Sequence, residues 1–241
     1  MSHRVADGAR LVDGLRDHPD YQKILSAYRK ASVAQSCLAD LREAGHMVGA
    51  LRELLKSSRK RGSVQRAATE TALLAQAVQL YARATHTAAS KGDRGSIDIR
   101  PHLDPAQRED HHHLSHVRVY ALAHVYPGKN IGGSAWHRGM CMLVETDHGW
   151  RVGFASNRTQ IDAQTLQALE RQIPVAGRVA LAIFHKRTTA LSSLLQASGA
   201  PLAAYEDALI DLAAIMGPDG ARAAINGLIG GEASHWTGKR A

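Results

Sequence analysis

From Tyr21 to Arg59 the chain contains almost no helix breaker. Leu25, Tyr28, Ala31, Ala34, Leu38, Leu41, Met47, Leu51, Leu54 and Leu55 recur through it near helical spacing. Gly45 is the one point in this run expected to divide or kink it. A second pattern of the same kind runs from Ser63 to Thr87, with Ala67, Leu73, Leu74, Ala77, Leu80 and Tyr81 as its apolar face. Two such stretches in the first half leave little room for a large sheet. Composition agrees, because only 5% of the 241 residues are aromatic and Ala and Leu dominate the apolar set.

The other elements follow from local signals. Residues 8–17 form a short helical pattern that breaks at His18-Pro19-Asp20. Ser90 to Asp104 is rich in Gly, Ser, Asp and Arg and reads as a loop. Asp104 and Pro105 then provide an N-cap and a first helical residue for a helix that runs on to Tyr126 and stops at Pro127-Gly128. Met140–Thr146 and Trp150–Ala155 read as strands joined through Asp147-His148-Gly149. Such a hairpin is marginal by itself in water and needs something to pack on. Helical patterns return at Ala163–Gln172, Gly177–Ala197, Pro201–Met216 and Gly220–Leu228. The expectation is a mainly α protein: an N-terminal helical segment over 1–62, a helical bundle over 63–229 with a β-hairpin inserted at about 139–156, and a frayed tail over 230–241.

The formal charge is +8 with 30 Lys and Arg against 22 Asp and Glu. That balance favours a polyanionic partner, of which nucleic acid is the commonest, although solubility alone can account for it. Lys56, Arg59, Lys60, Arg61 and Arg66 make a basic corner where two helices meet. No aromatic residues are interleaved there, so stacking on single-stranded bases is not indicated. Cys37 and Cys141 form no metal or redox motif, and no apolar run reaches the length of a membrane span. A cytoplasmic protein without membrane contact is the expectation.

Chemistry concentrates in His111 to Tyr126. On a continuous α-helix, Leu114, Arg118, Leu122 and Val125 would share one face, and His113, Val117, Tyr120 and His124 a second. Arg118 would then interrupt an apolar stripe and require an anionic or carbonyl partner. An internal carboxylate would make it structural, and a phosphate would make it functional. His112 with His116, and His113 with His116, have spacings that can ligate Zn²⁺ or Ni²⁺. No third ligand motif accompanies them, so a solvated polar face is the plainer reading and no metal or cofactor is assigned. Arg83 and His86 close the preceding helix, and Arg94, Arg100 and His102 lie in the loop after it. These residues can contact phosphate or simply be solvated cations.

The segment Arg118-Val-Tyr-Ala-Leu-Ala-His124-Val-Tyr126 resembles the Arg-x4–6-His signature of the HEPN superfamily of helical nucleotide-binding and ribonuclease domains. Its Tyr126 is similar to the His-x-Tyr extension of HEPN toxins that are paired with an antitoxin. The resemblance covers about residues 63–126, including Leu80-Tyr81-Ala82-Arg83, and departs from the family in having Val119 after the motif arginine. It implies a HEPN-like bundle and metal-independent RNA cleavage of a bacterial toxin or phage-defence type. The site would lie at a homodimer interface, with RNA as substrate. Arg118 and His124 would be catalytic, with Arg83, His113 and Tyr126 supporting. Lys56, Arg59, Lys60, Arg61, Arg94 and Arg100 would contact nucleic acid. An antitoxin protein is a possible further partner, with Tyr126 the candidate for its modification. An inactive HEPN-like module that binds nucleic acid or a nucleotide is the alternative. On an α-helix, residues six apart lie about 120° apart in angle and about 9 Å apart along the axis, so a compact site would need a second copy.

Overall fold

The computed structural model describes residues 4–58, 63–86, 94–123, 130–131, 134–158, 162–199 and 202–230. Within them the chain is mainly helical with a small antiparallel β component, as its periodicity requires. The helices are α1 (Gly8–Gly14), α2 (Gln22–Lys56), α3 (Val64–Thr85), α4 (Pro105–Val117), α5 (Ala163–Ala197), α6 (Leu202–Asp207) and α7 (Leu212–Gly230). A π-helical turn, Arg118–Ala123, extends α4. The strands are β1 (Asn130–Ile131), β2 (Ser134–Ala135), β3 (His137–Thr146) and β4 (Gly149–Arg158), paired antiparallel as β1 with β2 and β3 with β4.

Two compact units divide within the long helices: residues 31–187 form one, and residues 1–30 with 188–241 the other. The sequence reading divides the chain at 62/63 instead. The larger unit has one apolar core. Ala34, Cys37, Leu38, Leu41, Val48 and Leu51 of α2 meet Leu74, Ala77, Val78, Tyr81 and Ala84 of α3 in it, with Leu114 and Val117 of α4 and Leu166, Leu169, Ala176 and Ala180 of α5. The three-and-four spacing in each set makes one face of each helix apolar. In the smaller unit Leu11, Val12, Leu15, Leu25 and Ala208 form a separate cluster. Its ends are tied by Asp7 N–H to the Ala208 carbonyl at 2.8 Å and Ile210 N–H to the Val5 carbonyl at 2.9 Å.

Caps appear where their residues predict them. Ser63 accepts from the Arg66 amide at the start of α3. Asp104 and Gln107 form a reciprocal capping box at the start of α4, with Pro105 in the first turn. The hairpin is two residues longer at each end than expected, and Gly149 takes φ of +96° at its turn.

Three helical expectations need correction. Gly45 neither breaks nor splits α2, because burial on both sides outweighs the modest cost of one helical glycine. The separate helices expected at 163–172 and 177–197 are one helix that passes through Pro174. Buried Gln172 and Ala176 and half-buried Ile173 and Val175 hold that stretch in the core despite a proline. The helix expected over 201–216 ends at Asp207, and α7 is kinked at Gly217, where φ is +78° just before Pro218.

The central helix also departs from expectation. It is α-helical only as far as Val117 and π-helical over Arg118–Ala123. Widening the pairing from i→i+4 to i→i+5 rotates every later side chain away from its α-helical direction. Leu114, Val117 and Ala121 are buried while Arg118 is exposed, so Arg118 does not sit on the apolar stripe.

Candidate functional site

The side chains around α3, α4 and the start of α5 are arranged in two contrasting ways. Asp110, His111 and His113 of the α-helical half of the central helix are tied down, whereas Arg108, Glu109 and His112 are exposed. Asp110 receives two bonds from Arg171, at 2.6 and 2.7 Å. The His111 Nδ1 lies 2.8 Å from the Tyr81 hydroxyl, which also donates to Gln172 Oε1 at 3.4 Å. Gln172 Nε2 in turn donates to the Gln107 carbonyl at 2.8 Å. His113 Nε2 lies 2.9 Å from the Thr165 hydroxyl, and that hydroxyl donates to Asp162 at 2.5 Å. Since Thr165 has a single hydroxyl proton, His113 is the donor to it.

His86, at the end of α3, stacks on His111 with ring centroids 3.9 Å apart. Its Nδ1 is 2.9 Å from the Thr85 hydroxyl, which donates to the Tyr81 carbonyl at 2.8 Å. The same single-proton argument assigns the hydrogen to Nδ1 of His86 and leaves Nε2 as a bare acceptor. That Nε2 is buried without a hydrogen-bond partner among the described residues.

Burial lowers the pKa of His86 to about 3, helped by the nearby positive charges of His111, Arg118 and Arg100. Burial likewise lowers His111 to about 4, with Arg100 adding to the effect. His113 is lowered by burial, against the opposing pull of Asp162. Burial raises the Tyr81 phenol well above its ordinary range. At neutral pH these groups form an uncharged polar network within the core.

Arg118 differs from all of them. It is exposed, opens the π-helical turn, and has no hydrogen-bonded or ion-paired side chain among the described residues. It is near enough to His86 for its charge to oppose protonation of that ring. π-Helical turns inside helices recur at functional sites. An exposed guanidinium with its five donors free can take an oxyanion bidentately.

The other expected site residues fall into three groups. Arg83 pairs through both guanidinium arms with Asp40, which is only 8% exposed at its side chain, and Arg94 reaches the same carboxylate at 2.7 Å. Arg94 also bonds the Ser36 hydroxyl and the Arg83 carbonyl. Arg100 is held by Asp98, and Lys56 by Glu53 at 2.8 Å. These four basic residues are engaged by carboxylates, and His113 by Thr165. His124 and Tyr126 lie outside the described residues, as do Arg59, Lys60 and Arg61.

In the basic corner, Arg66 is buried. It bonds Glu70 at 2.7 Å and the Ser57 and Leu54 carbonyls at 2.6 and 2.5 Å. It therefore serves as a cap for the end of α2. His112 and His116 lie side by side with ring centroids 3.9 Å apart. Among the described residues no group of three or more His, Cys, Asp or Glu is placed to hold a metal ion. No described helix is long and apolar enough to cross a membrane.

The chain matches no family model, no curated protein and no solved structure.

The Tyr81–His86–His111–Gln172 network is what sequence reasoning missed. Its members are spread over three helices and have no shared local spacing.

Proposed function

We propose that the chain is a HEPN-like, metal-independent endoribonuclease of the toxin or phage-defence type. Arg118 binds the scissile phosphate, and His124 moves the proton. The observation that carries this reading is the state of Arg118: exposed, at a π-helical turn, and without a carboxylate among the described residues. The structural role that the sequence left open for it, pairing with a buried Asp or Glu, has no support there. A histidine with ordinary basicity takes the proton from a ribose 2′-hydroxyl. The 2′-oxygen then bonds to the adjacent phosphorus, and the bond to the 5′-oxygen breaks. That oxygen receives a proton, leaving a 2′,3′-cyclic phosphate and a 5′-hydroxyl. Arg118 stabilises the charge that builds on the phosphate oxygens. Two copies across a two-fold axis bring one Arg118 and one His124 to each bond, and RNA is the partner that the +8 charge favours.

A second reading is an inactive module that holds nucleic acid or a nucleotide through Arg118. It is favoured by the depressed basicity of His86 and His111, two buried histidines of the described residues. Neither ring is an efficient proton acceptor at neutral pH.

The deciding experiment is cleavage of total RNA and tRNA by purified protein in excess EDTA, with Arg118→Ala and His124→Ala alongside. Cleavage by the wild type alone, ending in cyclic phosphate, is the expected result. RNA binding without cleavage, weakened by Arg118→Ala and not by His124→Ala, would move the assignment to the binding module.

A further inference from the structure

The hairpin β3–β4 reverses the ordinary distribution of side chains. Phe154 is 81% exposed, Trp150 and Leu143 each 67%, and Val152 60%. The register pairs Cys141 with Phe154, Leu143 with Val152, and Glu145 with Trp150. Strand alternation puts these six on one face, while Met142, Val144, Arg151 and Gly153 take the other. Among the described residues no other element packs broadly on either strand. A two-stranded ribbon with a bare apolar face is marginal in water and gains stability once that face is covered.

We infer that this face is where two copies of the chain associate, hairpin on hairpin, with the strands antiparallel about a two-fold axis. The three cross-strand pairs are arranged for that contact. With Leu143 and Val152 at the axis, each Trp150 lies over Phe154 of the partner subunit. Aliphatic meets aliphatic at the centre, aromatic meets aromatic on both sides, and each Glu145, next to the turn at the edge of the contact, lies over Cys141 of the partner subunit. The area is adequate. At about 150–250 Å² per aromatic side chain, Trp150 and Phe154 present roughly 300 Å² at their exposures. Leu143, Val152 and Cys141 bring that to roughly 500 Å² per partner, so two copies would bury about 1,000 Å² in total, the lower limit of a specific interface. Joining the strands edge to edge would leave the same face wet, so stacking is the arrangement that covers it.

Other partners fit less well. Glu145 and Asp147 flank the tip, so entry into a bilayer would carry carboxylates in first. The face offers no cation to a phosphate backbone. The inference does not depend on the nuclease reading, and a dimer without RNA cleavage would leave it standing.

Sedimentation equilibrium of the full chain is the test, with Val152→Glu, Phe154→Ser and Arg151→Ala, the last on the opposite face. The wild type is expected at twice the 26.0 kDa chain mass. The first two substitutions should raise the dimer Kd by roughly 30-fold or more, as at interface hot spots, and Arg151→Ala should not. Hydrogen exchange supplies a readout free of substitutions, since protection of amides 140–155 should rise with protein concentration. A monomeric wild type, an unchanged Kd in both variants, or exchange independent of concentration would each overturn the inference. A monomer that sediments with anionic vesicles and loses that ability in Phe154→Ser would overturn it in favour of a membrane.

Discussion

The two halves of the central helix hold their polar side chains in different states. Over 104–117, Asp104, Asp110, His111 and His113 are all committed to neighbours in α3, α5 or their own first turn. Over Arg118–Ala123 the backbone widens to a π-helix, and Arg118 points to solvent without an acidic partner among the described residues. The contrast shows that a histidine-rich, arginine-bearing helix is no functional site merely by composition. Polar groups bonded to one another inside the core act on stability. A group left unbonded at a change of helix type is free to act on a ligand.

The largest expected effect separates the halves by pH. His86 and His111 have folded pKa values of about 3 and about 4, against an ordinary 6.5. As the pH drops, the unfolded chain takes up these protons first, so the native state loses stability. Stability from this pair is complete above about pH 6.5 and is lost progressively from there toward pH 4, on the scale of several kcal/mol. Urea midpoints measured across that window should fall steeply. A flat profile would mean that the histidines are not held neutral.

Next comes Arg118→Ala. RNA cleavage should fall by about 100-fold or more, as for loss of a transition-state donor. Unfolding stability should stay within about 0.5 kcal/mol, as for an exposed residue with no bonded partner among the described residues. A large loss of stability instead would place Arg118 with the committed residues.

Smaller effects test how tightly the first half is held. Asp104→Ala removes the capping box of α4 and should cost about 1 kcal/mol of stability by denaturant titration. Arg171→Ala breaks a pair in which the guanidinium is 54% exposed, and should cost no more than about 1 kcal/mol. A larger loss in Arg171→Ala would show that Asp110 depends on it as a buried charge does.

Local signals were sufficient for what depends on neighbours in the chain. The apolar spacing of 25–55 and 67–81, the Asp104 cap and the Gly149 turn all appear as read, because propensity, capping and hairpin geometry act within a few residues. Tertiary packing decided the rest. Burial carried helix through Gly45 and Pro174, against local preferences worth about 1 and about 3 kcal/mol. Asp40, on α2, engages Arg83 and Arg94 from two other segments, a choice of partner that no spacing in the sequence encodes. Arg118 follows buried Leu114 by one α-helical turn and is nonetheless exposed, because no other described element covers that side chain. Periodicity can say which residues share a face of a regular helix. Whether a charged side chain on that helix meets a carboxylate, a core or water is decided by what the other elements bring to it.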